Sequence, residues 1–333
     1  LLQVWNKLDR DYAGRRELER IKTDFALNQV YGIEIHDILA RICKINLLLH
    51  HDGHTNIEGD KSCLDTEFTK ERLKLGKENF NVVVGNPPFG DTIKEGDEDQ
   101  LGKSSLEDFE VSAGRSQIPS EHIIVEKSIK MLKDDGLLGL VLPDGVFNNQ
   151  GELSNCPLLR NYLVKQGRVL AVVSLPDYAF RKSGAQNKTS ILFFKKFNYD
   201  QRTAFENAYD AQIANGASDE QAIIAALSAN PYRVFMAEAN FIGYSSTGAL
   251  MEKNDLYRGS AGGHLDDDQS ETILGEYRRF CVDPENYIPA LNDCIGLDIC
   301  SVWNAHESHR LDPKYHLFKV QEEQTLPEGW VSK

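Results

Sequence analysis

An α/β fold is what this sequence predicts, and three observations carry the prediction. Between residues 30 and 197 short β-rich runs alternate with amphipathic helical stretches, several of the runs are apolar from end to end, and one stops on two consecutive prolines. Alternating strand and helix signals argue for a mostly parallel sheet covered by helices. Continuous apolar runs are what strands buried on both faces look like. The candidate strands are 30–35, 55–59, 80–85, 137–142, 169–175 and 189–197.

The intervening segments follow the helical period. Segment 36–50 carries Ile38, Leu39, Ile42, Ile45 and Leu48 at helical spacing, and 120–135 does the same, with Ser120 as N-cap and Gly136 as the C-terminal stop. Residues 91–119 interrupt the rhythm with more acids than bases and no apolar period, which predicts a long loop, either a lid or a mobile connection. After Phe197 the alternation ends. A helical hairpin is expected over 201–229, turning at Asn215-Gly216 and restarting at Ser218, with Gln221 closing a capping box. Beyond Pro231 the segments are short and mixed, with turns at Gly243, Gly248 and Gly262-Gly263. Residues 1–200 therefore form the expected core and 201–333 a mainly helical extension.

With 333 residues, 41% hydrophobic and 26% charged, the chain can bury one large core or a core plus a smaller module. No apolar run approaches a membrane span, and the start Leu1-Leu2-Gln3-Val4-Trp5 has neither Met nor a basic, signal-like region. The expectation is a soluble, cytoplasmic protein with no membrane contact. Six cysteines without CxxC spacing predict reduced thiols. His306 and His309 beside Cys294 and Cys300 match no familiar zinc spacing, so no metal is expected. A formal charge of −14 opposes unaided binding of a polyanion, because Lys and Arg supply most non-specific affinity for phosphates. A local basic rim at Arg181, Lys182, Lys188, Lys195 and Lys196 would offset this; the same residues would also suit a solvated strand edge.

The segment that carries chemistry is 80–90, Phe-Asn-Val-Val-Val-Gly-Asn-Pro-Pro-Phe-Gly. Pro87 and Pro88 cannot donate to a ladder and fix their φ angles, so the strand must end at Asn86 in a stiff, extended turn. The carboxyl end of a parallel strand is where α/β sheets bind ligands. Such a turn can aim the Asn86 side-chain oxygen and the Pro87 carbonyl at one point, offering two acceptors to an NH2 group. An aryl amine is a poor nucleophile because its lone pair is delocalised into the ring; two acceptors on its hydrogens favour a more tetrahedral nitrogen. Phe89 adds a flat face for stacking a base. The alternative is a rigid strand-to-loop turn with a core phenylalanine.

Asn86-Pro87-Pro88-Phe89 resembles motif IV of the amino methyltransferases, and much of 30–260 is similar to the modification subunits of type I restriction-modification systems, which are N6-adenine DNA methyltransferases. Tyr31-Gly32-Ile33-Glu34-Ile35 looks like that family's second strand, and Gly59-Asp60 matches the end of the next. Segment 136–147, Gly-Leu-Leu-Gly-Leu-Val-Leu-Pro-Asp-Gly-Val-Phe, is similar to the fifth strand and its turn. Leu175-Pro176-Asp177-Tyr178-Ala179-Phe180, followed by 189–196, resembles motif VIII. Shorter similarities occur at Val234-Phe235-Met236-Ala237, Ile242-Gly243-Tyr244, Lys253-Asn254-Asp255-Leu256 and Arg310-Leu311-Asp312-Pro313-Lys314-Tyr315.

The resemblance implies a Rossmann-like class I methyltransferase sheet and S-adenosyl-L-methionine as cofactor. It places Glu34 on the ribose hydroxyls with Ile35 beside it, and Asp60 on the cofactor's adenine amino group, with Glu58 and Asp65 as alternatives. Asn86 faces both cofactor and substrate. Asn86, Pro87, Pro88 and Phe89 form the catalytic turn, and Phe89 and Phe180, or Tyr178 in place of Phe180, stack on an adenine flipped out of double-stranded DNA. Direct methyl transfer without a metal is implied, with a specificity subunit and a restriction subunit as partners.

One departure stands out. The family's glycine-rich loop, an Asp-Pro-x-Cys-Gly-x-Gly type sequence, has no counterpart upstream of Tyr31. Residues 1–11 are expected to be the helix that follows this loop, in a chain cut just after it and inactive by itself. Two other readings stay open: an amino methyltransferase acting on RNA or on protein glutamine, and a non-catalytic scaffold subunit.

Overall fold

The alternating pattern does fold into strands and helices, and the computed structural model describes residues 2–49, 56–72, 80–181, 187–259, 265–303 and 309–318. They fall into two units, Leu1–Lys77 with Ile93–Gln117 and Gly259–Asp267, and Glu78–Thr92 with Ile118–Arg258 and Asp268–Lys333.

In the first unit, β1 (Gly32–Glu34) pairs in parallel with β2 (Ile57–Gly59), Glu34 lying opposite Gly59. Helix Asp37–Leu49 connects them, one residue inside each expected bound. It packs so closely on β2 that a Cβ at Gly59 would lie 2.6 Å from Ala40 Cβ. The face that packs is the small one: Ala40 and Leu47 are buried, whereas Ile38, Leu39, Ile42, Ile45 and Leu48 are exposed. The helical period was legible; the direction in which the helix buries itself was not.

Residues 91–119, expected as a long loop, carry short pieces instead: β4 (Thr92–Lys94), helix Glu98–Leu101, 3-10 turns Leu106–Asp108 and Glu110–Ser112, and β5 (Gln117–Pro119). Ser105 and Asp108 cap each other reciprocally, and Leu101, Leu106 and Val111 are each buried. Single apolar anchors in separate one-turn elements leave no period to detect.

The second unit holds β3 (Phe80–Gly85), β6 (Leu132–Pro143), β7 (Gly167–Ser174), β8 (Thr189–Lys196), β9 (Arg233–Glu238), β10 (Ile242–Tyr244), β11 (Leu250–Asn254) and β12 (Cys294–Asp298). Six of these form one sheet in the order β12-β9-β7-β8-β6-β3. β3, β6, β7 and β9 share one direction, and β8 and β12 run against them. Along β6 and β8, Leu138, Leu140, Leu142, Leu192 and Phe194 alternate into the core.

Helix Ser120–Met131 ends earlier than expected, with Pro119 in the cap position and Leu132 already in a strand. Gly136 is therefore not a helix stop. It follows Asp135, whose φ is +61°, in a bulge where the partner in β6 shifts from Leu132 at Phe80 to Leu137 at Val82. The helical hairpin forms as Tyr199–Ala214 and Asp219–Ala229, with the Ser218–Gln221 capping box closed. The segment expected to be mainly helical also supplies β9 and β12 to the sheet. Phe235 of β9 is buried there against the rings of Tyr277, Phe280 and Tyr287, with centroids 5.5, 5.6 and 6.0 Å away. Among the described residues no helix is long and apolar enough to cross a membrane.

Candidate active site

β3 ends at Gly85, one residue before Asn86 and the two prolines, which have no N–H to donate to a ladder. Pro87 is buried, Asn86 and Pro88 are exposed, and Phe89 is half-buried. Gly90, at φ +81°, then turns the chain away. Ser120 fastens this turn from the start of its helix: its N–H donates to the Asp91 carbonyl at 2.9 Å and its hydroxyl to the Pro88 carbonyl at 3.4 Å. The residue expected to cap its own helix thus holds the Asn86 turn instead.

Phe180 lies between β7 and β8, far along the chain, yet its ring meets Phe89 at a centroid distance of 5.9 Å and 79°. The two rings touch edge to face and leave the turn lined by aromatic surface. Tyr178, the alternative to Phe180, has another task. Its hydroxyl donates to the Asn240 carbonyl at 3.0 Å and its ring packs on Tyr244 at 6.3 Å.

In the first unit the parallel pairing of β1 and β2 brings Glu34 and Asp60 to the same, carboxyl end of that ribbon. Glu34 is half-buried, and its Oε1 accepts the His36 N–H at 2.9 Å, which fixes the carboxylate at the strand end. Ile35 is half-buried in the bend after it. Asp60 is exposed with φ +59°, a conformation that Asp tolerates better than most residues. Asp65 is occupied otherwise, accepting the Phe68 N–H at 2.9 Å at the start of helix Thr66–Arg72.

A family model described as N-6 DNA Methylase matches residues 13–226, more than half of the chain. The chain belongs to the N-6 DNA methylase family. Among curated relatives, the methylase subunit of type I restriction enzyme EcoEI from Escherichia coli is 27% identical over 168 residues, covering 50% of this chain and 30% of its own length. The methylase subunit of type I restriction enzyme MpnII from Mycoplasma pneumoniae is 28% identical over 178 residues, covering 53% and 32%. This N-6 DNA methylase chain thus spans about a third of the length of those relatives. The fold is shared with the EcoKI M protein (TM-score 0.52, 16% identity, covering 97% of this chain and 62% of that one). It is also shared with a type I methyltransferase subunit from Streptococcus thermophilus (TM-score 0.50, 16% identity, covering 84% and 47%).

Two buried or part-buried carboxyl groups of this N-6 DNA methylase were not singled out by sequence. Asp144 follows β6, the strand beside β3; its Oδ1 accepts the Ser190 hydroxyl at 2.5 Å and its N–H donates to the Lys188 carbonyl at 2.9 Å. Burial pushes its carboxyl above the usual range, opposed by the Ser190 hydroxyl and by Lys188. An acid directly after a proline that ends an apolar strand is the signal that would have found it. Glu121, in the first turn of its helix, is buried, and burial, reinforced by the Asp91 charge, raises its carboxyl above the ordinary 4.5.

A raised folded value means that the neutral form is favoured in the native state, so this group's contribution is fully present below about pH 4.5 and is lost as pH rises through the folded value. Glu121→Gln, uncharged and of equal size, is expected to melt above the wild type at pH 8 and level with it near pH 4.5. Thermal melts at the two pH values check this; an equal gap at both would exclude a buried charge as the cause.

The basic rim is corrected by the structure. Lys188 pairs with Glu238 at 2.9 Å, Lys195 with Asp135 at 2.8 Å, and Lys196 is buried and donates to the Leu132 carbonyl at 2.9 Å. Strand alternation sends neighbouring lysines to opposite faces, where acids and a carbonyl meet them. Arg181 is exposed, and Lys182 lies outside the described residues. His309 stacks on Trp303, with ring centroids 5.3 Å apart, and sets its Nε2 2.8 Å from Glu220. Cys294 is buried in the sheet, and His306 lies outside the described residues. Among the described residues no group of three or more His, Cys, Asp or Glu is placed to hold a metal ion.

Proposed function

We propose that this N-6 DNA methylase is the catalytic part of a type I modification subunit that methylates adenine N6 in double-stranded DNA, with S-adenosyl-L-methionine as the methyl donor. The observation that carries it is the Asn86–Phe89 turn at the carboxyl end of β3, tied down by Ser120 and closed by the Phe89–Phe180 contact.

The cofactor supplies a methyl group on a sulfonium, electrophilic enough to need no metal. The residues that suit it are Glu34, whose fixed carboxylate at a strand end is a ribose-diol acceptor, Ile35 next to it, and Asp60, an acceptor for the adenine amino group. At the substrate, the Asn86 side-chain oxygen and the Pro87 carbonyl would accept hydrogen bonds from the two N6 hydrogens and leave the nitrogen lone pair free to react, and the proton that N6 gives up on alkylation would pass to solvent. Pro88 keeps that turn stiff. Phe89 and Phe180 offer stacking surface that partly offsets the cost of extruding the adenine from the duplex. The acceleration comes from positioning and desolvation.

A net charge of −14 argues that the DNA is gripped mainly by partner subunits, a specificity subunit and a restriction subunit in such systems. The test is to incubate the complete modification complex with radiolabelled cofactor and, separately, DNA, RNA and protein. Label in N6-methyladenine of DNA supports the reading. Label confined to RNA or protein would overturn it.

A further inference from the structure

The β10–β11 hairpin is mounted on the same turn that carries Phe180. Tyr244 donates its hydroxyl to the Ala179 carbonyl at 2.7 Å, and the Tyr178 hydroxyl donates to the Asn240 carbonyl at 3.0 Å. The base of the hairpin is closed by Asp255, whose carboxylate accepts the N–H groups of Asn240 and Phe241 at 2.9 and 2.8 Å. Its tip is closed as well: the Ser245 N–H donates to the Ala249 carbonyl at 2.9 Å, and the Ala249 N–H donates to the Ser245 hydroxyl at 3.2 Å. Ile242 is buried in the aromatic core beneath. This is a rigid arm, not a loose loop.

At the end of that arm, directly opposite Tyr244 in the register, stands Leu250, 93% exposed. A single exposed aliphatic residue is ordinary on a protein surface. What separates Leu250 from the ordinary case is its mount. It is one cross-strand step from Tyr244, whose hydroxyl holds the residue next to Phe180, and Phe180 in turn touches Phe89. Met251, next along the strand, is exposed too, and the tip before them is Ser245, Ser246 and Thr247, hydroxyls of the kind that contact phosphate.

Extruding a base leaves a hole in the stack, and proteins that distort duplexes fill such gaps with apolar side chains. A side chain that does this must be apolar, free of protein contacts before binding, and fixed in position relative to the pocket that receives the base. Leu250 meets all three requirements. Resting on the adenine-methylation reading above, we propose that the β10–β11 hairpin enters the duplex beside the target and that Leu250 occupies the space left by the extruded adenine.

The test uses the complete modification complex, wild type and with Leu250→Ala or Leu250→Met, on two DNAs: one fully paired, and one with the target adenine opposite an abasic site, where little remains to be opened. The alanine variant is expected to methylate the paired target at least about tenfold more slowly and to match the wild type on the opened target, while the methionine variant matches it on both. Because Leu250 is solvent-facing, thermal melts of all three proteins should coincide. Equal losses on the two DNAs would overturn the proposal by assigning the hairpin to the pocket, and no loss on either would overturn it outright. A wild type inactive on both DNAs would remove the substrate reading and this inference with it.

Discussion

Asn86→Ala is expected to slow methyl transfer by about a hundred- to a thousandfold, the range found when one of the preorganised polar groups acting on a reacting atom is removed. The side chain is exposed at the end of β3, so the fold should not register its loss. On the proposed reading the Pro87 carbonyl would still accept one N6 hydrogen, which sets a floor above zero. Asn86→Asp keeps a side-chain acceptor and adds a negative charge close to the sulfonium, so it should fall between alanine and wild type. Single-turnover transfer of labelled methyl groups in the complete complex, with DNA affinity measured alongside, separates chemistry from binding. A loss below about threefold in the alanine variant, with affinity unchanged, would remove Asn86 from the chemistry.

Arg160→Leu carries the largest expected effect on stability. Arg160 is fully buried, and burial draws its guanidinium down to about 10, which still leaves it charged at neutral pH. No carboxylate hydrogen-bonds to it among the bonds described. Instead it donates to the Val146 carbonyl at 2.7 Å, the Asn149 carbonyl at 3.0 Å and the Gln150 side-chain oxygen at 3.3 Å. These acceptors belong to the short helix Gly145–Asn148 and the residues after it, directly following Asp144. Leucine would strand the buried Val146 carbonyl and remove the donors to the more exposed Asn149 and Gln150 oxygens, so a loss of about 1–3 kcal/mol is expected. Arg160→Lys, with one point of donation in place of a fork, should lose less. Urea unfolding gives the numbers. A midpoint unchanged in the leucine variant would show that water or a local shift satisfies those carbonyls.

Much of the local structure around the candidate site was legible because its causes are local. Strand 80–85 appears at the residues expected, and it ends where two prolines deprive it of donors. The Ser218–Gln221 capping box formed because both partners lie within one turn. Segment 91–119 was read as a long loop because each of its buried anchors sits alone in its own short element. Ser120 was read as a cap because its sequence neighbours suit one; its actual partners, Pro88 and Asp91, come from the turn after another strand. Nothing near Arg160 in sequence announces three oxygens converging from 146–150.

From the sequence by itself came the strand that stops just before Asn86 and its two prolines, and the family to which those residues point. Backbone sterics and donor counts act between neighbours and do not wait for the rest of the fold. Only the tertiary structure decided that Phe180, and not Tyr178, meets Phe89. It also decided that β8 slots antiparallel between β6 and β7, and that β9 and β12 extend the sheet beyond residue 200. The same is true of the lysines at the strand edge, which are held by acids and a backbone carbonyl. Each of these outcomes depends on which surfaces, distant along the chain, compete to bury the same neighbour, and that competition is settled by packing in three dimensions.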